Sequence, residues 1–147
     1  MATSTDLSVI NIGIGEKSVI LPSNAIVEVI DLTSLQVAES SQFKAVIDWR
    51  GQVLTVVHPA VFLSQEKDIV WPKRAIVIKA ISYLGYYAIA LFNNPKIQSI
   101  PTESIFRSVD LESDLLKAEF QHNAQTYAVI DVDQLESYFE LMPTNEQ

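Results

Sequence analysis

The feature that most limits what this chain can fold into is how often its apolar pattern restarts. Short alternating or β-branched runs recur about every ten residues, each cut by a turn signal. "LSVINIGIG" places Ile10, Ile12 and Ile14 on one face, and "KSVIL" follows after Gly13 to Lys17, so the two read as a hairpin. "FKAVIDW" and "QVLTVVH" flank an "RG" turn and read as a second hairpin. "RAIVIKAISYLGYYAIALF" holds two strands turning near Leu84 and Gly85, and "NNPKIQSIPTESIF" holds one short strand between breaks. "LLKAEFQHNAQTYAVIDV" forms a last hairpin turning at "QHNAQ". Sustained helical spacing occurs only in "DVDQLESYFELM", where Leu135, Phe139 and Met142 share a face, Asp131 or Asp133 caps the start and Pro143 follows the end. The pattern predicts an antiparallel, barrel-like β protein whose edges must be closed or covered.

Of the three remaining stretches, one is open between helix and strand. "LPSNAIVEVIDL" opens on helix-start residues, yet Ile26, Val27, Val29 and Ile30 favour a strand. "SLQVAESSQ" reads as a polar loop. "PAVFLSQEKD" begins with Pro59, which suits the first position of a single helical turn.

A chain of 147 residues, 48% hydrophobic and 19% charged, is long enough for one domain with a real core or for two very small ones. It has no cysteine, which removes disulfides and thiolate chemistry together. No apolar run is long enough to span a bilayer, and "MATSTDLSV" carries no secretory signal pattern, so a cytoplasmic location without membrane insertion is expected. Residues 1–102 carry eight acids and eight bases, while residues 103–147 carry ten acids against Arg107 and Lys117, so the net charge of −8 sits entirely in the last third. With no basic face to displace counterions, nucleic acid is not an expected partner.

The search for chemistry is mostly an exclusion. "INIGIGEKSVILP" looks briefly like a phosphate-gripping loop, but Glu16 separates Gly15 from Lys17, Ile10 stands where the first glycine is needed, and "VILP" cannot supply the helix. His58 and His122 have no third metal ligand at suitable spacing and read as a strand-end and a turn residue. No Gly-x-Ser-x-Gly elbow is present. Tyr83, Tyr86 and Tyr87 fit either a ligand pocket, as in a β-barrel sensor domain, or plain alternation through a wall. Elimination points to a binding module with no catalytic residue, cofactor or metal.

Four segments in order carry a family resemblance. "VEVI" (Val27 to Ile30), "FKAVIDWRGQVLTVVH", "YYAIALF" and "YAVIDVDQLES" together resemble the CheW family of chemotaxis adaptors, over residues 7–141. That likeness implies a single domain of two small five-stranded SH3-like β-barrels sharing a hydrophobic interface, with short helices and a C-terminal helix. The halves would take roughly residues 20–80 and 81–131, completed by the N-terminal hairpin strand and that helix. It also implies that "SNAIVEVI" is a short helix. The implied function is non-catalytic bridging of a methyl-accepting chemoreceptor to a CheA-like histidine kinase, in a flagellar or type IV pilus pathway. Glu28 and Arg50 would pair through a carboxylate and a planar guanidinium. Val27, Glu28, Ile30, Arg50 and Gly51 become the candidate partner-binding residues. Departures at Ala45, at Thr55 to His58, at Leu91 and Phe92, and at Ala118 mark altered loops and surface pairs.

Overall fold

The computed structural model describes residues 6–14, 18–39, 43–62, 70–81, 84–101, 115–122 and 124–138. Eleven strands and one helix follow in chain order among them. They are β1 (Asp6–Asn11), β2 (Ser18–Pro22), β3 (Ile26–Asp31), β4 (Gln36–Val37), β5 (Lys44–Trp49), β6 (Gln52–Val57), β7 (Arg74–Lys79), β8 (Tyr86–Leu91), β9 (Lys96–Pro101), β10 (Leu116–His122), β11 (Gln125–Ile130) and α1 (Val132–Tyr138). Tyr83, Phe139 and Met142 lie outside the described residues, as do six of the ten acids of residues 103–147.

The strands form two sheets. One runs β10-β11-β2-β1-β9 and the other β3-β7-β8-β6-β5-β4. The mainly β, SH3-like expectation holds, though as two hydrogen-bonded sheets whose outer strands are not joined, and with a sixth, two-residue strand where "SLQVAESSQ" suggested only loop. Most neighbours are antiparallel hairpins, but β6 pairs with β8 and β2 with β11 in parallel.

Why these runs are so apolar becomes clear from their two faces. Ile76 and Ile78 of β7 and Tyr87, Ile89 and Leu91 of β8 enter one large cluster, which also takes Ile10, Val19 and Leu21 from the other sheet. The intervening Ala75, Val77, Ala88 and Ala90 face inward with Ile47, Trp49, Leu54 and Val56. In the five-stranded sheet, Val19 and Leu21 join the shared cluster while Ile20 turns inward with Val9, Ile100, Phe120 and Tyr127. β2, β7 and β8 therefore bury both faces, one in their own sheet's interior and one at the seam. The seam is closed by Leu135 of α1, where Asp131 accepts the Gln134 N–H at 3.1 Å and so is the capping aspartate.

Two expectations are corrected by this arrangement. "SNAIVEVI" is not a helix: Pro22, Ser23 and Asn24 yield only one 3₁₀ turn (Ser23–Ala25), and β3 begins at once. The β-branched residues follow their local preference because β7 offers a full antiparallel partner, from Ile26 opposite Ile78 to Asp31 opposite Arg74. The halves also divide elsewhere than near residue 80. β8 belongs to the six-stranded sheet, since its alanines fill that interior and its larger residues fill the seam. The five-stranded sheet combines residues 6–22 with residues 96–130, and the other is drawn from residues 26–91.

Candidate functional site

The two-residue loop joining β5 to β6 is Arg50-Gly51, between the paired Trp49 and Gln52. Both loop residues have positive φ, +51° for Arg50 and +77° for Gly51. Tight hairpins of this kind favour Asn-Gly, because a bulky L residue with positive φ crowds its own backbone. An arginine here is a local cost, of about 1 kcal/mol relative to a residue suited to the position.

Its side chain is held from two directions. Arg50 Nη2 lies 3.1 Å from Glu28 Oε1, and the guanidinium carbon lies 4.6 Å from the centre of the Trp49 ring. Glu28 sits on edge strand β3, just past an irregularity in the pairing between Ile26 and Glu28. Its other oxygen, Oε2, accepts the Trp49 indole N–H at 2.8 Å. Trp49 is only 7% exposed and packs in the interior of the six-stranded sheet, its ring edge-on to Tyr86 at 5.3 Å between centroids. The Arg50 side chain nevertheless remains 60% exposed, with Glu28 at 35%. A fixed guanidinium is thus presented to solvent at a hairpin tip.

The predicted residues separate into two groups. Glu28, Arg50 and Gly51 come together at this tip. Val27 is exposed on β3, whereas Ile30 packs half-buried against the interior cluster behind them. Trp49, which joins Glu28 to Arg50, was missed in the sequence. The available signal was a tryptophan beside a turn, whose N–H must find an acceptor once the ring is buried.

The other candidates resolve into structural roles. Tyr87 is buried at the seam while Tyr86 leans on Trp49, so alternation sends these two to opposite faces and they do not share a pocket. His58, 3% exposed, accepts the Ala60 N–H at Nδ1 (3.0 Å), so Nε2 carries the proton and donates to Val70 O at 2.8 Å. Phe43, Trp71 and Phe92 surround its ring at 4.9 to 6.5 Å between centroids. Burial lowers its pKa from 6.5, against a smaller opposing effect of the Val70 hydrogen bond. With both nitrogens engaged by backbone, His58 is poorly placed to act as a general base. Among the described residues, no three potential metal ligands gather, and no helix is long and apolar enough to cross a membrane.

A second surface feature is an apolar groove along the seam, bordered by Leu21, Pro22, Ala25, Ile78, Ile81 and Val132. The 3₁₀ turn that ends in Ala25 leads from it directly into β3.

Comparison with known proteins places these features in context. The family model described as the CheW-like domain matches residues 8–138. No curated protein matches the chain. Among solved structures, the scaffolding protein TtCheW from Thermoanaerobacter tengcongensis superposes with a TM-score of 0.73 at 13% identity, covering 89% of this chain and 92% of that one. At such low identity that superposition speaks for the fold.

Proposed function

Because the chain belongs to the CheW-like domain family, whose members are non-catalytic scaffolds, we propose that it couples a chemoreceptor to a CheA-type histidine kinase by protein–protein contacts alone. The signalling pathway is chemotaxis-like, driving either flagella or type IV pili, and the protein acts in the cytoplasm. Its contribution is a rigid surface, on which assembly of the two partners changes kinase output.

The observation that carries this reading is Arg50, kept at positive φ and braced by Glu28 and Trp49 while its charged end faces solvent. Backbone strain retained at an exposed loop is best explained by use of the side chain. The Glu28–Arg50 pair, being largely exposed, contributes only about 0–1 kcal/mol to stability. Its value lies in orientation. Val27 adds an exposed apolar residue on the same strand as Glu28, Gly51 permits the turn, and Ile30 supports β3 from within. The seam groove supplies a neighbouring apolar surface for an anchor residue of a partner.

Arg50→Ala tests the proposal. It should weaken capture of the organism's own receptor and kinase while lowering stability by less than about 1 kcal/mol. Arg50→Asn should keep or improve stability, because asparagine suits the turn, and still weaken capture. Unchanged capture by both folded variants would refute the assignment of this loop.

A further inference from the structure

Resting on that reading, we propose that Trp49 is the positioning residue of the docking loop, setting where the Arg50 guanidinium points without itself touching the partner. Three observations support this. The indole N–H donates to Glu28 Oε2 at 2.8 Å, leaving Oε1 to meet Arg50 Nη2 at 3.1 Å, so the two carboxylate oxygens are divided between the two residues. The face of the same indole lies under the guanidinium, with 4.6 Å from its carbon to the ring centre. The ring is buried and fixed edge-on against Tyr86.

An exposed glutamate–arginine pair alone leaves both side chains free to swing. Trp49 removes that freedom twice, since it anchors the carboxylate through its N–H and gives the cation a flat surface to rest on. The hold is local, because Trp49 and Arg50 are adjacent and Glu28 is reached from the edge strand. A partner that accepts hydrogen bonds from the outward edge of the guanidinium then meets donors already oriented, and little side-chain freedom is lost on binding.

The test is a double-mutant cycle on equilibrium binding of the full chain to the purified receptor cytoplasmic fragment and kinase of the same organism. Trp49→Phe keeps a ring under Arg50 and deletes the N–H, and it should weaken binding about threefold to tenfold. The Trp49→Phe/Arg50→Ala double variant should bind no more weakly than Arg50→Ala alone. Glu28→Gln provides a second route to the same release if the tryptophan variant folds poorly. Without any partner present, the Arg50 Hδ protons should resonate upfield in the parent from the ring current and move toward free-arginine positions in Trp49→Leu. Additive losses, or full binding by Trp49→Phe where Arg50→Ala is impaired, would overturn the role of Trp49. Full binding by Arg50→Ala would instead overturn the docking-loop reading beneath it.

Discussion

Lowering the pH below about 6.5 should cost this protein stability through His58, and the burial of its ring sets the sign. In the unfolded chain this imidazole takes its proton near 6.5, while in the folded protein burial pushes its pKa lower. Between those two values the unfolded state binds more protons, so stability falls as the pH drops from 6.5 towards the folded pKa. Above 6.5 the full contribution is present. A single group of this kind changes stability by at most about 1.4 kcal/mol per pH unit. A proton at Nδ1 must also displace the Ala60 N–H that now donates there. The groups in contact, Phe43, Ala60, Val70, Trp71 and Phe92, carry no charge, and the next charged residues along the described segments, Lys44, Lys73 and Arg74, are all cations. His58→Phe isolates the effect. At pH 7.5 it should cost about 2–3 kcal/mol, because it leaves the Ala60 N–H and Val70 carbonyl without this partner. Urea unfolding followed by circular dichroism from pH 8 to 5 measures the gap between parent and variant. The gap should shrink on acidification, since the parent loses what the variant already lacks. A constant or widening gap would refute the argument, and so would an NMR titration placing His58 above 6.5.

Two further substitutions probe the frame around the Arg50-Gly51 loop. A Cβ on Gly51 would meet nothing within 4 Å, so Gly51→Ala should cost about 1 kcal/mol from its φ of +77° alone, read by chemical denaturation, and no compensating core change should be needed. Ile89→Ala opens a cavity in the cluster shared by both sheets and should cost about 2–5 kcal/mol. Calorimetry should show that this lowers one transition for the whole domain, because the seam cannot be loosened for one sheet only.

Much of the fold was legible in the sequence because the pattern of alternation is strong where one face differs from the other. Ile10, Ile12 and Ile14 marked a half-buried face, and all three join the seam cluster. The turns at "RG" and "QHNAQ" also lie between paired strands, and Pro59 does open a single 3₁₀ turn. What was misread depended on long-range partners. β8 was assigned to the wrong half because an uninterrupted apolar run does not say which of its faces meets which sheet, and only the small Ala88 and Ala90 hint at a crowded interior. "SNAIVEVI" was read as helix from the family likeness against its own β-branched residues, and the availability of β7 settled the outcome in favour of local preference. The family likeness suggests that Glu28 and Arg50 pair, and the structure does bring them together. Their connection through Trp49 needs geometry, because Glu28 lies on an edge strand and Trp49, beside the hairpin tip, is 21 positions away.

The order in which strands enter the two sheets has a consequence for synthesis on the ribosome. The segment from Ile26 to Leu91 supplies every strand of its sheet and can begin to organise once it has emerged. The hairpin of β1 and β2 must wait, because its neighbours β9 and β11 are translated later and close the longest loops among the described strand pairs. During that interval Ile10, Val19 and Leu21 have only the seam face of the six-stranded sheet to cover them, so the nascent chain passes through a stage in which its earliest strands depend on its latest ones for shelter.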